Sequence, residues 1–172
     1  MIGRRAALGG AAALLGGCGF RPLYGRYGAS GEAIRPELAS IYVTVMAERQ
    51  GQLLRQALQQ RLAGSDDSVS KRYELSGALS IAAEAIGIQQ DSSATRVRYT
   101  ATSSWTLRKL DLANSVVTQG SARAVDGINI NNQQYFAADL ETSTAFRRLA
   151  DEVAQQITLD LAIYFRTHPE AA

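Results

Sequence analysis

Hydrophobic and polar residues alternate most regularly between residues 73 and 108. In YELSGALSI, residues 73–81, Tyr73, Leu75, Gly77, Leu79 and Ile81 alternate with Glu74, Ser76, Ala78 and Ser80. A period of two sends every second side chain to one face, so the segment predicts a strand with one buried side. RVRYTATSSWTLR, residues 96–108, repeats the pattern. Val97, Tyr99, Ala101, Ser103, Trp105 and Leu107 share one face; Arg96, Arg98, Thr100, Thr102, Ser104, Thr106 and Arg108 share the other. VVTQGSARAV, residues 116–125, alternates more weakly and reads as a further strand. Polar turns separate the three, IQQDSSAT at 88–95 and DLANS at 111–115. Consecutive strands with short turns imply an antiparallel meander.

The flanking segments change period. LASIYVTVM, residues 38–46, is β-branched and aromatic and predicts a first strand. In AERQGQLLRQALQQRLA, residues 47–63, Leu54, Leu58 and Leu62 recur every four residues with Ala57 beside them. That is helical spacing, ended by Gly64 and the turn SDDS at 65–68. A polar loop, DGININNQQ at 126–134, leads into Tyr135–Arg166, which contains neither Gly nor Pro. There Phe146, Leu149, Val153, Ile157, Leu161 and Tyr164 recur at three or four residues and predict one long amphipathic helix. The order β-α-β-β-β-α predicts a single α+β domain over residues 37–172. Its four-stranded, mainly antiparallel sheet carries two helices packed on one face, and the opposite face is left to solvent or a partner.

The first residues follow neither period. Arg4 and Arg5 precede an apolar run, Ala6 to Leu15, as long as a signal-peptide core and too short to span a bilayer. Leu15-Gly16-Gly17-Cys18 fits a lipobox: an aliphatic residue, two small residues beside the cut, and a thiol to take a diacylglyceryl group. Residues 1–17 are therefore expected to be a lipoprotein signal peptide that is removed, leaving Cys18 acylated. Gly3 and Ala6-Ala7 around the paired arginines fit a twin-arginine export signal poorly. Gly19 resembles an outer-membrane address, because Asp in that place tends to retain lipoproteins at the inner membrane. Residues 18–36, rich in Gly and holding Pro22 and Pro36, read as a tether from lipid to fold.

This reading alters the charge. Lys+Arg number 18 and Asp+Glu 16; without Arg4 and Arg5 both stand at 16. Nucleic-acid binding then loses its electrostatic basis. Catalytic chemistry finds little support. Cys18 is the only cysteine and is committed to acylation; His168, the only histidine, lies four residues from the end. A Cys/His metal cluster is thereby excluded, and no GxSxG or phosphate-binding GxxxxGK[ST] occurs. The distinctive surface is the polar face of the 96–108 strand. It reads either as solvated or as a docking face for a protein or an anionic lipid. Arginine pairs bidentately with phosphate, and hydroxyls add donors without bulk. Arg123 on the next strand joins Arg96 and Arg98 if the register allows.

Together the lipobox, Cys18-Gly19-Phe20-Arg21-Pro22-Leu23-Tyr24-Gly25 behind it, and the order strand, helix, three strands, long helix resemble the LptE family of lipopolysaccharide-assembly lipoproteins, closest to its alphaproteobacterial type. The resemblance implies an outer-membrane lipoprotein that sits as a plug inside the LptD β-barrel, helps it assemble, and binds lipopolysaccharide for delivery to the outer leaflet. It implies no catalysis, cofactor or metal. Family members have bases near the turn before the third strand. Here the first bases are Arg96 and Arg98 on the strand itself, which makes Arg96, Arg98 and Arg123 the candidate lipopolysaccharide contacts. The competing assignments are an auxiliary lipoprotein of a lipid-transport ABC system and a lipoprotein hydrolase, the latter lacking a visible nucleophile and base.

Overall fold

The computed structural model describes residues 36–63, 69–88, 94–129 and 135–168. The expected leader, Cys18, the tether up to residue 35, the turn at 65–68, and the centres of the other two polar loops lie outside the described residues. Six elements follow in order: β1 (Ile41–Val43), α1 (Glu48–Leu62), β2 (Tyr73–Ile88), β3 (Ala94–Lys109), β4 (Val116–Asn129) and α2 (Tyr135–Thr167). The sheet runs β1-β2-β3-β4. β1 and β2 are parallel, which makes α1 a crossover helix, and the other two pairs are antiparallel.

The expected order holds, with shifted boundaries. The first strand is only three residues long. Pro36, whose fixed φ suits the first position of a helix, opens a helical turn over 36–39 instead. The Ser40 N–H donates to the Pro36 carbonyl (2.9 Å) and its hydroxyl to the Glu37 carbonyl (2.7 Å). Leu38 and Ala39 are buried from that turn, not from a strand. β2 continues to Ile88, beyond the alternating segment, because β3 pairs with it throughout, from Tyr73↔Lys109 to Ile88↔Ala94. Residues 82–86 are exposed on both sides of the strand, so no alternation marks them. β4 likewise extends through Asn129, opposite Arg96, and takes in the start of the Asn-rich loop.

Both helices lie on one face: α1 on β1 and β2, α2 on β3 and β4, and each against the other. Leu54 and Leu58 of α1 are fully buried, as are Leu149, Val153, Ile157 and Leu161 of α2. Burying one such aliphatic side chain stabilises the fold by about 1.5–3 kcal/mol. Every inward residue expected on β3 is buried, from Val97 at 9% exposure to Leu107 at 0%. Trp105 is seated between two glycines, Gly77 on β2 and Gly120 on β4. A Cβ on Gly120 would stand 2.6 Å from the indole Cζ2, so only glycine admits the ring there.

One detail of α2 differs from expectation. Phe165, not Tyr164, joins the core at its C-terminal end, its ring 5.3 Å from Tyr73. Tyr164 stays half-exposed and stacks on His168 at 4.4 Å. Arg148 of α2 ties the helix to the sheet: its Nε and Nη2 lie 2.8 and 2.7 Å from Asp126 Oδ2 on β4. Asp126 Oδ1 in turn accepts the Gly127 N–H at 2.7 Å. Farther along, Gln156 of α2 meets the backbone of Arg123. Its Oε1 accepts the Arg123 N–H (3.1 Å) and its Nε2 donates to the Arg123 carbonyl (3.0 Å).

Candidate functional site

The face of the sheet away from the helices is built from alternate residues of β2, β3 and β4. Register arranges it in rows: Ser76–Thr106–Gln119, Ala78–Ser104–Ser121, Ser80–Thr102–Arg123, Ala82–Thr100–Val125 and Glu84–Arg98–Gly127. Its middle is therefore a flat carpet of hydroxyls and methyl groups. β-branched threonine favours the strand and offers a short donor and acceptor above the pleat. Apart from Arg123, the side chains of the three middle rows are small, so a partner can approach the backbone of β2 and β3 closely there. Arg108 stands at one end, its Nη1 donating to the Asn114 carbonyl at 3.3 Å, and Arg96 and Arg98 stand at the other.

All three candidate arginines lie on this face, but they form no single cluster. Arg96 and Arg98 are two residues apart on β3, about 7 Å along the strand. Gly127 sits directly opposite Arg98, and a Cβ there would come within 3.9 Å of Arg96 Nε, so the arginine side chain lies over the glycine. Arg123 faces Thr102, two rows away, about 14 Å from Arg98 along the sheet. Arg98 also has a partner. Its Nη1 lies 3.4 Å from Glu84 Oε2, with both side chains exposed, a contact that contributes little and leaves the guanidinium available to a stronger anion. Arg96 and Arg123 make no ion pair among the described residues. Arg98 thus reaches toward β2 and Arg96 toward β4, and Arg123 stands two rows away, so the face carries three separate cations.

A concavity between the helices carries no sign in the sequence. Between the start of α1 and the first half of α2 lies a cavity of about 410 Å³, lined by Arg49, Leu53, Asp139, Thr142, Phe146 and Arg147. Its residues come from two helices that only the tertiary fold brings together, and no local spacing announces it. No group of three or more potential metal ligands occurs among the described residues, nor any helix long and apolar enough to cross a membrane.

Comparison with known proteins narrows the class. The chain resembles the crystal structure of a lipoprotein from Caulobacter crescentus CB15, with 28% identity and a TM-score of 0.62, over 78% of this chain and 96% of that one. The rare lipoprotein B of Shewanella oneidensis shares the fold at 9% identity and a TM-score of 0.51, covering 76% and 98% of the two chains. Lipoprotein B of Nitrosomonas europaea does so at 12% identity and 0.53, covering 76% and 86%. No curated protein matches. The model of the lipopolysaccharide-assembly family LptE matches residues 38–161, from the buried turn before β1 to the last turns of α2. With the mixed sheet, the two helices on one face and that match over most of its length, the chain belongs to the LptE family of lipopolysaccharide-assembly proteins.

Proposed function

We propose that this chain is an outer-membrane lipoprotein, acylated at Cys18, that plugs the lumen of the LptD β-barrel and passes lipopolysaccharide toward the outer leaflet. The family match over residues 38–161 carries this reading. The hydroxyl-rich sheet face gives it a physical form. The lumen of a large outer-membrane barrel is polar and water-filled, so a plug needs polar outer surfaces and small side chains that fit a smooth wall. The near balance of acidic and basic residues behind the leader suits the same setting. Arg96, Arg98 and Arg123 supply separate cationic contacts for lipid phosphates. The protein acts by binding and occupying space, not by catalysis.

Affinity purification of the tagged, full-length protein from detergent-solubilised envelopes tests this directly. A large β-barrel is expected in near-stoichiometric amount. Copurification of ABC-transport components without a barrel would replace this reading with that of an auxiliary transport lipoprotein. For the lipid, Arg96→Ala with Arg98→Ala should weaken lipopolysaccharide binding by about tenfold or more, since a charge-assisted hydrogen bond contributes about 1.5–3 kcal/mol. Arg123→Ala should have a smaller, independent effect. Unchanged binding in the triple variant would remove this face as the lipid contact.

A further inference from the structure

The β3–β4 turn breaks the usual rule for hairpin loops. Turns are normally polar, because their backbone faces water. Here Leu110 is 48% exposed, Leu112 is fully exposed, and Val116 just beyond them is 50% exposed. The loop holds a defined shape. Asp111 accepts the Asn114 N–H through Oδ1 (2.8 Å), Asn114 takes a positive φ of 45°, and the Lys109 N–H donates to the Ser115 carbonyl (3.0 Å). Leu110 and Leu112 in the turn and Val116 at the start of β4 are thus exposed around a turn that is pinned by hydrogen bonds of its own. Such a patch asks for a cover.

The position of the turn identifies the cover. The Leu110 N–H donates to the Arg72 carbonyl (2.8 Å), the Arg72 N–H to the Ser40 carbonyl (2.8 Å), and the Ser40 N–H to the Pro36 carbonyl (2.9 Å). The leucine turn therefore stands on the side of Pro36, where the described fold begins, eighteen residues after Cys18. Lys71, Arg72, Arg108 and Lys109 surround it, against Glu37, Glu74 and Asp111. Arg72 and Glu37 pair with each other and Asp111 accepts from the turn backbone, which leaves Lys71, Arg108 and Lys109 against Glu74 and Asp111. Apolar side chains ringed by a slight excess of cations match the headgroup region of an anionic bilayer. We propose that the Leu110–Leu112–Val116 tip dips into the leaflet that holds the acyl chains, and so sets how the domain stands on the membrane. The inference rests on acylation at Cys18. Lipid alone anchors the chain; the tip orients it.

Because Cys18 is consumed by acylation, a cysteine introduced at the tip is the only free thiol. Full-length acylated protein carrying Leu112→Cys, labelled with an environment-sensitive fluorophore, would be reconstituted on vesicles of phosphatidylethanolamine and phosphatidylglycerol. Leu140→Cys, 71% exposed on α2, serves as the comparison site. The label at 112 should shift to the blue and lose most of its emission to nitroxide-bearing lipids, and the label at 140 should do neither. Protein that floats with the vesicles while the label at 112 reports water overturns the tip contact and leaves the anchor standing. A blue shift without lipid quenching means protein covers the tip, and equal quenching at both sites means the domain lies flat; each overturns the proposal. Failure to float at all removes the Cys18 anchor and the tip's role with it.

Discussion

The two faces of β3 share one backbone and obey different rules. Toward the helices, Ala101 and Leu107 are fully buried and Trp105 is 5% exposed. Toward the other side, the same strand shows Arg96, Arg98 and Thr102 to solvent. On the inner face each side chain is locked by neighbours on two strands and a helix, so shape decides and small changes are costly. On the outer face only the cross-strand neighbours matter, and the fold tolerates almost any residue of moderate size. Selection on the outer face is therefore free to serve binding, whereas on the inner face it serves the fold.

Substitutions can sharpen or break this contrast. Leu107→Ala should have the largest effect on stability, a loss of about 2–5 kcal/mol in chemical denaturation, because the cavity lies where the sheet cannot collapse. Gly120→Ala should come next, at about 1–3 kcal/mol, since its methyl group would be pressed against the Trp105 indole. The loss should be accompanied by a change in tryptophan fluorescence. Thr102→Trp should change stability by less than about 0.5 kcal/mol, yet abolish copurification with the barrel. If Thr102→Trp destabilised the chain as much as Gly120→Ala, the outer face would be structural and the contrast would fail. If it left association intact, the docking surface would lie elsewhere.

The contrast was legible in the sequence where alternation was strict. All six inward residues of β3 follow from period two alone, and so do the buried leucines of α1 from period four. Where a neighbour, not the segment itself, decides the structure, the signal is missing. The far half of β2 is a strand because β3 pairs with it, although Ala82 to Ile86 are exposed on both sides. Leu38 and Ala39 read as strand, but Pro36 starts a helical turn under them. Phe165 displaces Tyr164 from the core by a small advance in helical phase over a helix of 33 residues. The common face of Arg96 and Arg98 follows from spacing. The Glu84 partner, and the two rows that separate Arg123, depend on interstrand register. The leucine tip had a local sign, apolar residues inside the turn-forming stretch KLDLANS, that composition alone made easy to pass over.

The amide of Gln156 matches the Arg123 N–H and carbonyl as the backbone of a fifth strand would. Exposed sheet margins are templates on which identical chains can polymerise. With that rung occupied from within, and the Gly127 N–H engaged by Asp126, a second copy finds no uninterrupted ladder along β4. The long helix thus acts as a guard against edge-to-edge pairing at this rung of the sheet margin.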